Sequence, residues 1–186
     1  MVYPFVVIEG IDGAGKTTIA QFLSHLIGAA YVKTPVGAVK WNRNYIDKLD
    51  PLPRFLYYVA DLAEASQLIT ENLLRQPVVC DRYHLSTILN HQAMGVPVGM
   101  VDFSALQIVK PMAVVYLWAE ESIIVARLQA RSEVSSHIHL ERDRQLQQAV
   151  HQLFLRQGGI HSFNTGSYRI EEMPQLAEEI KTTLGL

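Results

Sequence analysis

The sequence predicts a three-layer α/β fold with a five-stranded parallel sheet flanked by helices. Three observations carry that expectation. Strand-like and helix-like segments alternate about five times along the chain, the pattern of parallel strands joined by crossover helices. Two of the strand-like runs, VYPFVVI (2–8) and MAVVYLW (112–118), are apolar at successive positions, as in strands covered on both faces. Between the first of them and the first helix lies a loop with three glycines, GIDGAGKTT (10–18), and in such sheets ligands gather at the carboxyl ends of the strands.

The elements follow in order. The run at 2–8 stops at Gly10 and reads as a central strand. A helix is expected from Lys16 to Leu26, with Ile19, Phe22, Leu23 and Leu26 on one face. AYVK (30–33) reads as a second, edge strand. A long helix is expected over 52–75, where Phe55, Val59, Leu62, Ile69 and Leu73 recur at helical spacing. Pro77 introduces VVCD (78–81), a third strand ending at Asp81. Residues 84–92 read as helix, GVPVG (95–99) interrupts the pattern, and a further helix is expected at about 101–109 before the strand at 112–118. Then come a helix at 121–131, a polar loop, SEVSSHIH (132–139), and a helix from Leu140 to Arg156 that Gly158 and Gly159 stop. A last short strand near 167–170 and a helix at 173–184 close the chain.

The 186 residues are 49% hydrophobic and 18% charged, which suits one compact domain and is too short for two ordinary ones. A formal charge of -2 supplies no general basic field, so nucleic acid is not an expected partner. Cys80 is the single cysteine; it has no internal partner for a disulfide and reads as a buried strand residue. The sequence opens without a basic segment and apolar run ahead of a cleavage site, and no apolar stretch approaches about 18 residues. A soluble, cytoplasmic protein with no membrane contact is expected.

Gly10, Gly15, Lys16 and Thr17 satisfy G-x-x-x-x-G-K-[ST] after a strand and before a helix. Glycines let the backbone curl so that N–H groups point at phosphate oxygens, and the helix N-terminus adds positive potential. Gly10, Asp12, Gly13, Ala14, Gly15, Lys16, Thr17 and Thr18 are therefore the expected cradle for the phosphates of ATP. Lys16 is expected to reach the β- and γ-phosphates, and Thr17 to hold Mg²⁺ through its hydroxyl. Asp81, ending the third strand beside the loop, is placed to hold the same ion or its waters, and the planar fork of Arg82 suits a phosphate.

IEGIDGAGKTT (8–18), taken with DRYHLST (81–87), resembles the thymidylate kinase family within the P-loop nucleoside monophosphate kinases. The resemblance covers essentially the whole chain. It implies a single P-loop kinase domain over 1–186 with a short lid at about 131–142, using ATP and Mg²⁺. It also implies an acceptor nucleoside monophosphate, dTMP in the first place, with its phosphate on Arg82 and its 3′-hydroxyl on Asp12. The base would stack on Tyr58, Thr87 would offer it a hydroxyl, and Arg131 and Arg142 would close over the donor. Lys16, Arg82 and Arg131 are thus the expected catalytic residues. Pairing into a homodimer is implied through the helical region 52–92, where Tyr57, Leu68, Ile88 and Leu89 exceed what one core face needs.

Three features depart from the family's pattern. Lys33 and Thr34 precede Pro35 where relatives carry arginine and glutamate. Leu62 follows Asp61 where relatives place an arginine that reads the thymine carbonyl; an unread buried carbonyl costs about 1–3 kcal/mol. The lid, SEVSSHIHL (132–140), has no arginine, leaving Arg131 at its entrance and Arg142 and Arg144 at its exit. His137 and His139 in the lid, and His84 and His91 seven apart, lack the further ligands of a metal site and read as solvated histidines. No carboxylate stands in YVKTPVG (31–37) to act as a base on a hydroxyl acceptor, which favours a phosphate acceptor. Two other readings stay open: a kinase for another acceptor (a modified nucleotide, a nucleoside or a component of DNA), or a nucleotide-binding regulator with little turnover.

Overall fold

The computed structural model describes residues 3–130 and 144–186. Its centre is a five-stranded sheet in the order β2-β3-β1-β4-β5, parallel throughout. The strands are β1 (Phe5–Gly10), β2 (Ala30–Lys33), β3 (Val78–Asp81), β4 (Ala113–Trp118) and β5 (His161–Asn164). The helices are α1 (Lys16–Leu26), α2 (Gly37–Trp41), α3 (Arg43–Ile46), α4 (Pro51–Leu73), α5 (His84–Ala93), α6 (Glu121–Ala130), α7 (Arg144–Leu155) and α8 (Met173–Leu184).

The apolar run of β1 is continuous because both of its faces are covered. Side chains alternate along a strand: Val6 and Ile8 pack with Ile19 and Leu23 of α1 and Leu176 and Ile180 of α8. Phe5 and Val7 pack the other way, with Leu62 and Ile69 of α4. Burying such a side chain completely stabilises the fold by about 1.5–3 kcal/mol. β1 pairs with β3 on one side and β4 on the other, so the chain leaves it in opposite directions. The carboxyl end of β1 is therefore the switch point of the sheet, where a crevice must open.

Most of the expected elements form, with small shifts at their ends. Two do not. The helix expected at 101–109 is replaced by turns, because the Asp102 carboxylate accepts the Ser104 N–H (2.9 Å), the Ser104 hydroxyl (2.5 Å) and the Ala105 N–H (3.4 Å). Such a side chain competes with the helix for its own backbone donors. The last strand lies at His161–Asn164, not at 167–170, where 3₁₀ turns stand instead. HSFN is a half-covered edge strand, so its sequence lacks a continuous apolar run. The short helices α2 and α3 carry no long apolar period and were not legible. Cys80 is buried and free, as expected. Among the described residues, no helix is long and apolar enough to cross a membrane.

Candidate active site

The loop after β1 folds over its own lysine. Gly10 has φ 151°, and a Cβ there would run into the Leu117 carbonyl of β4. Gly15, with φ 84°, holds the left-handed position from which α1 starts, and only glycine takes such a conformation without strain. Lys16, 6% exposed, donates to the Ile11 carbonyl at 2.6 Å and lies 3.5 Å from the Asp12 carboxylate. Arg127 of α6 braces the loop from outside, donating to the carbonyls of Gly13 (3.4 Å) and Thr165 (2.8 Å). No sequence motif marks Arg127.

Thr17 and Asp81 meet as expected: the threonine hydroxyl donates to Asp81 Oδ2 at 2.6 Å. The Tyr31 hydroxyl donates to the same oxygen at 3.1 Å, and the Lys33 ammonium stands 3.4 Å away. Burial, and then the charge of Asp81, push the Tyr31 phenol up. Asp81 Oδ1 is buried with no hydrogen-bond partner.

Arg82 follows with φ 69°, a left-handed conformation for a side chain that ordinarily avoids it. Such a residue costs about 1–3 kcal/mol and persists only when its surroundings hold it. Here the Arg82 N–H donates to the Ile8 carbonyl (2.9 Å), and the Thr34 hydroxyl donates to the Arg82 carbonyl (3.1 Å). Glu9, at 0% exposure, accepts the N–H groups of Tyr83 (3.0 Å) and Ser86 (3.1 Å) and the Ser86 hydroxyl, and so fixes the start of α5. Burial pushes the Glu9 carboxyl up, and these donors oppose it. The turn sends the Arg82 guanidinium back to the loop, where it pairs with Asp12. Asp12 is thus engaged with Arg82, Lys16 and Gln147, whose amide donates to it at 3.2 Å.

Asp12 and Arg82 stand at a cavity of about 160 Å³ that Tyr58, Arg43, Asp47 and Thr87 also line. Tyr58 donates to Asp47 at 2.7 Å, and Arg43 donates to the other oxygen of that carboxylate at 3.1 Å. A larger cavity, about 630 Å³, lies between α6 and α7, and Lys16, Thr17 and Asp81 are not among its walls. The site therefore brings together a glycine-bearing loop, the side-chain oxygens of Thr17 and Asp81 beside it, and a polar cavity next door lined by three arginines, Arg43, Arg54 and Arg82.

The thymidylate kinase family model matches residues 8–173, from within β1 to the start of α8. The chain belongs to the thymidylate kinase family. A probable thymidylate kinase of Methanocaldococcus jannaschii is 30% identical over 132 residues, covering 68% of this chain and 70% of that one. Another, of Staphylothermus marinus, is 34% identical over 135 residues, covering 66% and 67%. In structure the fold is similar to a thymidylate kinase from Candida albicans, with a TM-score of 0.76 at 22% identity over 98% of this chain and 92% of that one. It is also similar to a deoxyadenosine kinase from M. mycoides, with a TM-score of 0.67 at 17% identity over 96% and 99%. Membership of the thymidylate kinase family makes the chain a nucleoside monophosphate kinase.

Several expectations change against the structure. Leu62, at the family's arginine position, is 1% exposed and packed in the core against the sheet, so it faces no ligand. Thr34 has taken up the Arg82 carbonyl instead of carrying a charge. His84 and His91 are not solvated: His91 is 4% exposed, and burial lowers the pKa of both. Leu89 is buried and Ile88 packs partly against the core, so neither adds to a free surface, whereas Tyr57 and Leu68 are exposed. Arg131, Arg142, His137 and His139 lie outside the described residues. Among the described residues, no group of three or more histidines, cysteines and carboxylates is placed to hold a metal.

Proposed function

We propose that this member of the thymidylate kinase family transfers the terminal phosphoryl group of ATP to dTMP, giving dTDP and ADP, as a cytoplasmic Mg²⁺-dependent homodimer. The observation that carries this reading is the convergence of Lys16, Thr17, Asp81 and Arg82 at the carboxyl ends of β1 and β3, beside the cavity that holds Tyr58. An acceptor phosphate oxygen forms the new bond to the γ-phosphorus as the bridging bond to the β-phosphate breaks. The acceptor is already anionic, so positioning and neutralised charge are what the protein must supply. Asp12 and Asp47, the carboxylates on the cavity, are each tied to a guanidinium, which suits a phosphate acceptor better than a hydroxyl that needs a base.

In this reading the Lys16 ammonium meets the β- and γ-phosphates, Arg82 grips the acceptor phosphate, Asp12 takes the 3′-hydroxyl and Tyr58 stacks on the base. Thr87 lines the base end, and Arg131 and Arg142 cover the donor. Thr17 and Asp81 would hold Mg²⁺: the buried, unpartnered Asp81 Oδ1 fits a cation ligand. When bound, the ion supplies charge neutralisation on the phosphates. The ATP that the reaction consumes suits a cytoplasmic setting.

A screen of nucleosides and nucleoside monophosphates for ADP release tests the reading, with dTMP expected to be turned over and Lys16→Ala expected to lose about 10²–10³ in kcat. A nucleoside turned over faster than its monophosphate would overturn it.

A further inference from the structure

The same cavity is also lined by two polar side chains whose hydrogen-bonding capacity the fold leaves unspent. Arg54, on α4 one turn before Tyr58, is 5% exposed. Its Nη1 donates to the Asp47 carbonyl at 3.1 Å, its Nη2 rests on the Met94 sulfur, and its Nε is buried with no hydrogen-bond partner. Nε–H and Nη2–H form one edge of the guanidinium, so a whole donor edge is served only by a thioether, which is a weak acceptor. A buried cation left in that state is costly to the fold, and an uncharged side chain would fill the space without the cost.

His91, on α5, is the second group. Its ring lies 5.6 Å from that of Tyr58 and 5.2 Å from that of Phe55. Nδ1 is 2.7 Å from the Thr87 carbonyl, and a carbonyl only accepts, so Nδ1 carries the hydrogen. Burial lowers the ring's pKa to about 4, with the charge of Arg54 adding to the effect against the Thr87 bond. The imidazole is therefore neutral at physiological pH, and Nε2, buried without a partner, carries a lone pair. Arg54 thus offers donors and His91 an acceptor on the walls of one cavity.

We propose that Arg54 and His91 select the acceptor base, Arg54 donating to a ring carbonyl and His91 accepting from the adjoining ring N–H. This assignment rests on the proposed function, in which the acceptor's base enters this cavity. The Met94 sulfur marks the position of a single acceptor atom on the guanidinium edge, and a carbonyl oxygen, with two lone pairs, serves two donors there. A flexible methionine gives way at low cost. The edge recognised is the imide edge shared by thymine and uracil. Cytosine puts an amino donor in the place of the carbonyl and an unprotonated nitrogen in the place of the N–H, so it sets donor against donor and acceptor against acceptor. Position 62, where the family's arginine is absent, is then not the place where this chain reads the base.

The test compares kcat and KM for dTMP, dUMP and dCMP in the full chain and in Arg54→Met and His91→Leu, which stay close to the original side-chain volume and remove one partner each. Circular dichroism and the KM for ATP report that each variant is folded with its donor site intact. The unmodified protein is expected to favour dTMP and dUMP over dCMP by tenfold or more in kcat/KM. Each variant should cut that ratio by about tenfold, the loss falling on KM for the two imide bases. If one variant fails to fold, the other decides. A ratio retained in the folded variants, or a preference for dCMP in the unmodified protein, overturns the assignment and leaves phosphoryl transfer to a monophosphate intact. If thymidine is turned over instead of dTMP, the proposed function fails, and the thymidine to deoxycytidine ratio in the same variants decides the base assignment by the same criterion.

Discussion

Asp12 and Arg82, seventy positions apart in sequence, form an ion pair on the wall of the cavity that Tyr58 also lines. The pair links the loop after β1 to the turn after β3, and Lys16 shares the same carboxylate at 3.5 Å. In the proposed function, an acceptor phosphate would meet a guanidinium that Asp12 already holds and that a left-handed backbone positions.

Arg82→Lys keeps the charge and the backbone conformation but loses the fork. A charge-assisted contact of this kind is worth about 1.5–3 kcal/mol, so KM for dTMP should rise about tenfold or more. Thymidine has no phosphate to hold and should be little affected. Steady-state kinetics on both acceptors checks the difference, and equal effects on the two would remove Arg82 from the phosphate site.

Asp12→Asn separates two roles for one carboxylate. If it holds the sugar, the variant should raise KM for dTMP by the loss of a hydrogen bond to a charged group, about 1.5–3 kcal/mol, and should hardly change KM for 3′-deoxy-dTMP. Equal losses for both acceptors would mean that Asp12 acts by aiming Arg82 and not on the sugar.

Asp61, 2% exposed, accepts the Val36 N–H at 2.6 Å and so fastens α4 to the turn that carries Thr34 and Pro35. Burial raises its pKa to about 7, the Val36 bond opposing and the charge of Glu64 adding. The folded state therefore keeps a proton that the unfolded chain has released above its ordinary range. The contribution of Asp61 to stability is fully present below about pH 4 and is lost as pH rises through about 7. His91 titrates with the opposite sign in an overlapping window, so the readout is a difference between proteins. Thermal melts of Asp61→Asn against the unmodified chain should show the variant gaining in Tm as pH rises from 4 to 7. A difference independent of pH would show that Asp61 is ionised in both states.

Tyr57 and Leu68 are 45% and 40% exposed on α4. Eleven residues span close to three full turns, so the two share a face that a second copy of the chain would cover. Light scattering should give about twice the monomer mass of 20.9 kDa at micromolar concentration, and Leu68→Glu should return it to the monomer. A monomer mass for the unmodified protein would rule the pairing out.

The fold was legible where burial imposes a pattern. Both faces of β1 and β4 are covered, so their residues are apolar in unbroken runs, and the glycines of the phosphate loop are required by backbone geometry that no other residue meets cheaply. Thr17 and Asp81 were legible for a related reason: Thr17 lies in the first turn of α1 and Asp81 ends β3, the strand beside β1. β5 was misplaced because an edge strand needs no such run, and the 101–109 segment because a single Asp102 side chain outcompeted a helical period.

Local spacing and unbroken apolar runs already carried the glycine-rich loop, the parallel sheet and the family, since these are patterns a chain cannot hide. The tertiary structure alone decided which groups meet across distance: Asp12 with Arg82, Glu9 with the start of α5, Thr34 with the Arg82 carbonyl, and Arg54 with His91 around one cavity. Contacts of that kind depend on how helices α4 and α5 seat against the strands, and a lone buried arginine or histidine carries no periodic signal of the partner it will face.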